Sequence, residues 1–252
     1  MKAAERQIRI RQMLEVRDFV GLETLSRELG ASESSIRRDL ELLQKQDVLR
    51  RVYGGAVPAQ ASQTDPYEFN SFKLQQGDEK SRIAKVAAGL ISDGQTVVLD
   101  GGSTVAEVAR ELVGHRLHVV TNSLPIAEEL LESRTIELTL TGGYLDPRLR
   151  VMLGPFCEEM LSAVRADVLI MGTGSISEAG LSNNNTLVVG SERKMIEISK
   201  RVIVVTDHNQ IRPGAMIPLA PIDVVDIVVT DHELAPEYRE MLKAHCVELL
   251  LA

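Results

Sequence analysis

The chain contains no tryptophan, and only four tyrosines and four phenylalanines in 252 residues. So few rings argue against a surface that grips single-stranded nucleic acid, which works by stacking bases on aromatic side chains. Cysteine is scarce too. Cys157 and Cys246 lie far apart and share no metal-ligand spacing with each other or with His115, His118, His208, His232 and His245. No metal site is therefore expected, and both thiols read as reduced core residues. No run of 18 apolar residues and no N-terminal apolar h-region occurs, so a soluble, cytoplasmic protein is expected, with no membrane partner. Internal repeats and low-complexity tracts are absent as well.

Positive charge is in deficit, 28 Lys+Arg against 36 Asp+Glu, a formal net of −8. The deficit is uneven. Residues 1–57 hold 11 basic and 9 acidic side chains, a net of +2, and the remainder holds 17 and 27, a net of −10. A mildly basic head on an acidic body suits a DNA reader whose second domain stays off the duplex.

The head is organised around residues 32–43, Ser-Glu-Ser-Ser-Ile-Arg-Arg-Asp-Leu-Glu-Leu-Leu. Upstream, Leu22, Leu25 and Leu29 fall at helical spacing, and Gly30 ends that helix where a positive φ is required. Ser32 or Ser34 can cap the next helix, which turns Ile36, Leu40 and Leu43 inward. Ser34, Ser35, Arg37 and Arg38 then occupy its outer, N-terminal face, the part of a recognition helix that enters the major groove. Arg50, Arg51, Tyr53 and Gly54 follow, with Gly54-Gly55 allowing a tight hairpin that hangs cations beside the groove. On periodicity alone, a small helical hairpin with a solvated arginine pair fits equally well. Residues 3–16 add an amphipathic helix carrying Ile8, Ile10, Met13 and Leu14. Arg6, Arg9 and Arg11 fall among them, to touch phosphate or simply to line a solvated face.

The full pattern Ser-Ile-Arg-Arg-Asp-Leu-x-x-Leu followed by Leu-Arg-Arg-Val-Tyr-Gly-Gly-Ala resembles the N-terminal signature of the DeoR/GlpR family of bacterial transcriptional regulators. The resemblance covers about the first 57 residues. It implies that the serine-to-arginine segment, with Ser32 at its start, is a recognition helix for double-stranded operator DNA, and that the Arg-Val-x-Gly-Gly-Ala segment is a wing.

Residues 58–76, with Pro58 and Pro66 among Gln and Ser, read as a linker. From residue 77 the pattern changes to strand-then-helix alternation. Apolar strands are expected at 96–99, 117–120, 136–140, 168–171, 202–205 and 227–229, with helices between them, the first beginning at Asp78-Glu79-Lys80. That is the signature of an α/β domain on a mostly parallel sheet. The expected organisation is a winged helix-turn-helix at 1–57, a linker at 58–76 and an α/β domain at 77–252.

Ligands of such sheets bind outside the carboxyl ends of the strands. The sharpest loop there is Asp100-Gly101-Gly102-Ser103-Thr104. Its glycines admit an anion, its hydroxyls can bond one, and the helix that follows directs free N–H groups at the same point. By itself such a loop is more often a tight turn than a phosphate cradle. It lacks the Gly-Lys-Ser/Thr ending of a Walker loop and opens no Gly-x-Gly-x-x-Gly helix, and no Gly-x-Ser-x-Gly elbow occurs anywhere.

This loop, with Val120-Thr121-Asn122-Ser123, Leu140-Thr141-Gly142-Gly143, Gly154, Met171-Gly172-Thr173-Gly174 and Gly180-Leu181-Ser182, also resembles the sensor domain of the DeoR/GlpR family, which is similar in fold to ribose-5-phosphate isomerase. The resemblance covers about residues 75–250. It implies a phosphorylated sugar or polyol effector, no cofactor, phosphate on Gly101 to Thr104, and Asp100, Thr121, Asn122, Gly142, Gly143, Gly172, Gly174 and Asp207 toward the sugar.

Two departures from the family pattern stand out. Gln210 occupies the place of a lysine in an Asp-x-x-Lys stretch, which leaves Arg148 or Arg150 as replacement cations or as solvated loop residues. Gly190-Ser191-Glu192-Arg193-Lys194 replaces an acidic run leading to a lysine. The expected function is a repressor, a dimer or tetramer since helix-turn-helix heads gain affinity by engaging two half-sites. Two other readings are a phosphosugar isomerase with a DNA-binding appendage, using Asp100 or Asp207 as base, and a body that only mediates assembly.

Overall fold

The computed structural model describes residues 3–15, 20–46, 48–52, 55–58, 77–212 and 214–252. The chain divides into two compact units, Met1–Asp65 and Pro66–Ala252. Of the expected linker, residues 59–76 lie outside the described residues, and Pro58 is the last residue of a strand rather than part of a linker.

The first unit holds α1 (Ala3–Glu15), β1 (Val20–Gly21), α2 (Leu22–Leu29), α3 (Glu33–Lys45), β2 (Leu49–Val52) and β3 (Gly55–Pro58), its three strands antiparallel in the order β1-β3-β2. Gly30 takes φ 58° and ψ 40° after α2, a left-handed conformation that glycine adopts without steric cost. The Ser26 hydroxyl donates to the Ala31 carbonyl at 2.6 Å and steadies the same turn. Ser32, not Ser34, caps α3, accepting from the Ser35 N–H at 3.4 Å. Ile10, Leu25, Ile36, Leu40, Leu43 and Leu49 close the core.

Two expectations for α1 are corrected. The buried stripe runs through Ile10 and Leu14, and Ile8, off that stripe, is 55% exposed. Arg6 neither reaches for phosphate nor lies in water. Its Nε donates to Asp39 Oδ2 at 2.8 Å, while Gln7 donates to Asp39 Oδ1 at 3.0 Å. These bonds fasten α1 to the buried side of α3.

The second unit is built on seven parallel strands in the order β15-β14-β12-β9-β4-β5-β6. They are β4 (Thr96–Leu99), β5 (Leu117–Thr121), β6 (Ile136–Leu140), β9 (Val168–Met171), β12 (Val202–Val205), β14 (Ile227–Thr230) and β15 (Glu248–Leu251). Successive side chains alternate between faces. Val97, Leu99, Val119 and Ile170 join one core with α4 (Gly77–Ala88) and α5 (Ser103–Glu111), while Val98, Leu169, Met171 and Val204 join another with α8 (Thr186–Ile198). Burial on both faces is why these strands read as continuous apolar runs.

Beyond the expected strands the structure adds β15 and two small antiparallel pieces. One pairs β7 (Tyr144–Asp146) with β8 (Val151–Leu153). The other joins β10 (Ser175–Ser177), β11 (Gly180–Asn183) and β13 (Ile217–Ala220). Pro218 disguises β13, and as an edge strand β13 tolerates it. Cys157 is a core thiol as expected, but Cys246 is exposed, in the left-handed region at φ 59° just past the last helix. No described helix is long and apolar enough to cross a membrane.

Asp39 is buried, and removing Arg6 leaves its charge with only the Gln7 amide. Arg6→Ala is expected to cost the first unit about 3 kcal/mol, and Arg9→Ala at an exposed position no more than about 0.5 kcal/mol. Urea unfolding followed by far-UV circular dichroism checks the pair; equal effects would contradict the staple.

Candidate DNA-reading face and ligand site

On α3, Ser34, Arg37 and Arg38 are exposed and Ser35 is half-buried. The Ser32 hydroxyl lies 3.0 Å from both the Ser34 and Ser35 hydroxyls, so the three share a small network at the helix start. Arg37 pairs with Glu33 at 3.2 Å with both side chains largely exposed. Such a pair is worth little and yields readily to a phosphate or a base edge. Arg38 has no ion pair among the described residues. In the hairpin, Arg50 faces Val57 and Arg51 faces Ala56 across the β2–β3 ladder. The Arg51 side chain is exposed, and Tyr53 and Gly54 lie outside the described residues. The serine and arginine groups thus stand on one helix end, with the cation-bearing hairpin following it in the chain.

In the second unit, chain order reverses between β4 and β9. From β4 the chain proceeds outward to β5 and β6, and then returns to the other side of β4 at β9. The loops after these two strands therefore diverge, and that gap is where open α/β sheets bind ligands. Asp100 follows β4, donates its N–H to the Ile170 carbonyl at 3.0 Å, and is 3% exposed. Burial pushes its carboxyl up to about 7, against the pull of hydrogen bonds from the Gly101 and Gly172 N–H groups.

Gly101 is glycine because a β-carbon there would collide with the Val151 side chain, whereas one at Gly172 would meet nothing within 4 Å. Gly102 begins α5 without a side-chain cap, leaving the first helical N–H groups available for an anion. Ser103 and Thr104 are nearly buried in that first turn.

Sequence reasoning treated Lys80 only as part of a helix start. The structure brings it into this loop: it is 5% exposed, and its Nζ donates to the Ser103 hydroxyl at 3.0 Å. Burial holds its ammonium below the usual lysine range, opposed by the charges of Asp207, Glu107 and Glu79. A lysine at the third polar position of an acidic helix start gives no signal of burial. Only the packing of α4 beside β12 and β14 reveals it.

Glu192 on α8 was likewise not singled out as a site residue. It is 2% exposed and accepts from Asn183 Nδ2 at 3.0 and 3.2 Å. Burial and the Asp100 charge both push its carboxyl well above the usual range. Asn122 is also buried; its Nδ2 donates to the Met152 carbonyl at 3.1 Å, and its Oδ1 has no hydrogen-bond partner among the described residues.

Other expected residues have structural occupations. The Thr121 hydroxyl donates to the Leu99 carbonyl at 2.7 Å and accepts from the Ser123 N–H. Gly142 donates its N–H to Met160 Sδ at 2.9 Å. A β-carbon at Gly143 would come within 2.6 Å of the Leu153 carbonyl, and one at Gly174 within 2.8 Å of the Ser182 carbonyl. Arg148 is exposed, 3.9 Å from Asp146, and Arg150 is held by Glu128 at 2.8 Å. Asp207 caps a 3₁₀ turn, His208–Gln210, in which Gln210 is half-buried. His208 is hydrogen-bonded through Nδ1 to the carboxylate of buried Asp231 at 2.9 Å. No group of three potential metal ligands occurs among the described residues.

A three-helix head with a β-hairpin, joined to a parallel α/β unit with a polar, glycine-flanked loop cluster at its switch point, defines a two-part DNA-binding regulator. The DeoR-like helix-turn-helix domain matches residues 6–61 and the DeoR C terminal sensor domain matches residues 75–232. The glycerol-3-phosphate regulon repressor of Escherichia coli is 32% identical over 253 residues, covering 100% of both chains. The transcriptional repressor AccR of Agrobacterium fabrum is 36% identical over 231 residues, covering 90% of this chain and 89% of its own. The protein belongs to the DeoR family of transcriptional regulators, and it is a regulator rather than an enzyme. Among solved structures, ribose 5-phosphate isomerase A of Methanocaldococcus jannaschii is similar at a TM-score of 0.42 and 18% identity, over 55% of this chain and 56% of that one. That likeness is too slight to add to the family assignment.

Asp100 and Glu192 are both driven toward the protonated form, so folding takes up protons at these sites. The contribution of Asp100 to stability is full below its ordinary value of 3.8 and is lost as pH rises through about 7, and that of Glu192, raised in the same direction, is likewise lost with rising pH. Glu192→Gln removes one charge and its repulsion of the other. The variant is expected to gain stability over wild type as pH rises across that window, by on the order of a few kcal/mol. Thermal unfolding at a series of pH values checks it; a difference that shrinks with rising pH would contradict the buried pair.

Proposed function

We propose that the protein represses an operon for the use of a sugar or polyol, and that a phosphorylated sugar or polyol bound at the β4–α5 loop shifts its affinity for operator DNA. The observation that carries this reading is the buried Lys80 ammonium on the Ser103 hydroxyl. A cation, a hydroxyl and a helix N-terminus meet there, with Thr104 in the same first turn, the arrangement a phosphate dianion requires. Lys80 supplies the charge that Gln210 lacks. Gly101, Gly102, Ser103 and Thr104 would hold the phosphate, with Asp100, Asn122, Gly172, Asp207 and Gln210 toward the rest of the ligand. The names of the relatives, a glycerol-3-phosphate regulon repressor among them, support the same class of effector.

For the effector to act, it must bind the DNA-competent and DNA-incompetent states with different affinity. We place Ser34, Ser35, Arg37 and Arg38 in the major groove and the hairpin cations, Arg50 and Arg51, on the backbone. A homodimer or tetramer follows, since one head alone binds weakly and two engage half-sites about one helical turn apart.

Fluorescence anisotropy on DNA from the protein's own upstream region, titrated with phosphorylated sugars and polyols, tests both halves. Arg38→Ala is expected to weaken selective binding by about 1–3 kcal/mol. Lys80→Met is expected to keep DNA affinity and lose the response to the phosphate compound. Unchanged affinity and salt slope in both Arg37→Ala and Arg38→Ala would remove the recognition-helix assignment. Selective binding that no phosphate compound alters would remove the sensor assignment.

A further inference from the structure

The carboxylates beside the phosphate loop do nothing for an anion. Asp100 and Glu192 are 3% and 2% exposed, close enough for the charge of one to act on the other. Among the described residues no lysine, arginine or histidine pairs with either. Asp100 is met only by the N–H groups of Gly101 and Gly172, and Glu192 by the Asn183 amide. Lys80 is occupied elsewhere, on Ser103, with Asp207 as the carboxylate that acts on it most.

A third acceptor reaches Gly101 from the neighbouring turn, after β5. Asn122 is 2% exposed, and the bond from its Nδ2 to the Met152 carbonyl fixes which way the amide points. Its Oδ1 is left without a donor, 3.9 Å from where a β-carbon on Gly101 would lie. A buried acceptor with no donor is costly and points to a group that arrives from outside. The surroundings of Asp100 therefore offer two buried carboxyls and one amide oxygen, which among the described residues meet only backbone and amide N–H groups and no positive charge.

A ligand that completes this set must bring hydrogen-bond donors, and a positive charge satisfies it best. A primary ammonium has three donors and no acceptor. Placed between the two buried acids, it takes over from the protons that burial favours on them, which leave to solvent, and gives each carboxylate a charge-assisted bond. A sugar hydroxyl donates one bond and neutralises nothing. An acetamido group donates one and adds an acceptor.

We infer that the effector is a phosphorylated sugar carrying a free amine, its phosphate on Lys80 and the Gly101–Thr104 loop and its ammonium on Asp100, Glu192 and Asn122 Oδ1. This inference rests on the phosphate reading of the same site and adds the chemistry of the ligand's other end. It also accounts for an acid at 192: a cation there would repel the amine, whereas a buried glutamate selects it.

Isothermal titration of the full chain tests this with matched sugar phosphates. The probes are glucosamine 6-phosphate, glucose 6-phosphate and N-acetylglucosamine 6-phosphate, with the galactose counterparts of all three. In at least one series the free amine is expected to bind about tenfold or more tightly than the hydroxyl and acetamido compounds, the worth of one charge-assisted bond. Glu192→Gln is expected to bring that ratio toward one while binding of the hydroxyl compound persists. Asp100→Asn provides a second variant with the same expected loss of preference. Neutral sugar phosphates binding as tightly as the amines, or a preference that survives both variants, overturns the inference and leaves the phosphate reading standing. No binding by any of the six compounds overturns both, an outcome separate from the first.

Discussion

Because β5 and β6 extend the sheet to one side of β4 while β9, β12, β14 and β15 extend it to the other, the backbone after β4 cannot be covered by its own crossover. That constraint organises the sensor unit. It leaves the Asp100–Thr104 turn facing the Gly172 turn across a gap, and every polar feature of the candidate site lies around that gap. Asp100 spans it, bonded by N–H groups from both turns. Helix α4 closes one face and delivers Lys80. Helix α8 approaches on the opposite face of the sheet and delivers Glu192. A parallel sheet with helices on both faces is thus what sets a buried cation and a buried acid at the same turn, from segments more than a hundred residues apart in the chain.

The electrostatics of that turn are uneven. The cation sits where the helix N-terminus already favours an anion, and the acids sit where nothing positive compensates them. Protein interiors tolerate such a division when a ligand or a proton completes it. In the absence of a ligand, burial favours the protonated form of both acids. A bound molecule with opposite charges at its two ends would relieve both halves together. The head follows a different rule: the buried acid among its described residues, Asp39, is matched by Arg6 and Gln7 within the unit, and Arg37 and Arg38, the arginines proposed to read DNA, are exposed, one in a weak pair that a phosphate can displace.

Much of this was legible beforehand, and what was missed has a physical pattern. Helix α3 could be read because capping, glycine termination and the Ile36/Leu40/Leu43 stripe are local signals. The sheet core could be read because strands buried on both faces are continuous in apolar character. Strand β15, at the edge and only half-buried, and β13, carrying Pro218, lack that continuity. Lys80, Glu192 and Asn183 could not be found by spacing, since polar residues on amphipathic elements look solvated until tertiary packing buries them. The same holds for Arg6, whose partner lies 33 positions away. Close packing against Val151, Leu153 and Ser182 also requires glycine at Gly101, Gly143 and Gly174, a reason invisible in a Gly-Gly or Gly-x-Gly string.

The central claim is that one loop, Gly101 to Thr104 with Lys80, is the place where a phosphate controls the protein. The most direct test is a crystal structure of the full chain with a phosphorylated sugar that changes its DNA affinity. The account predicts the phosphoryl oxygens within hydrogen-bond distance of Lys80 Nζ, the Ser103 and Thr104 hydroxyls and the first amides of α5. A phosphate seated elsewhere, with no phosphoryl oxygen on Lys80, would contradict it.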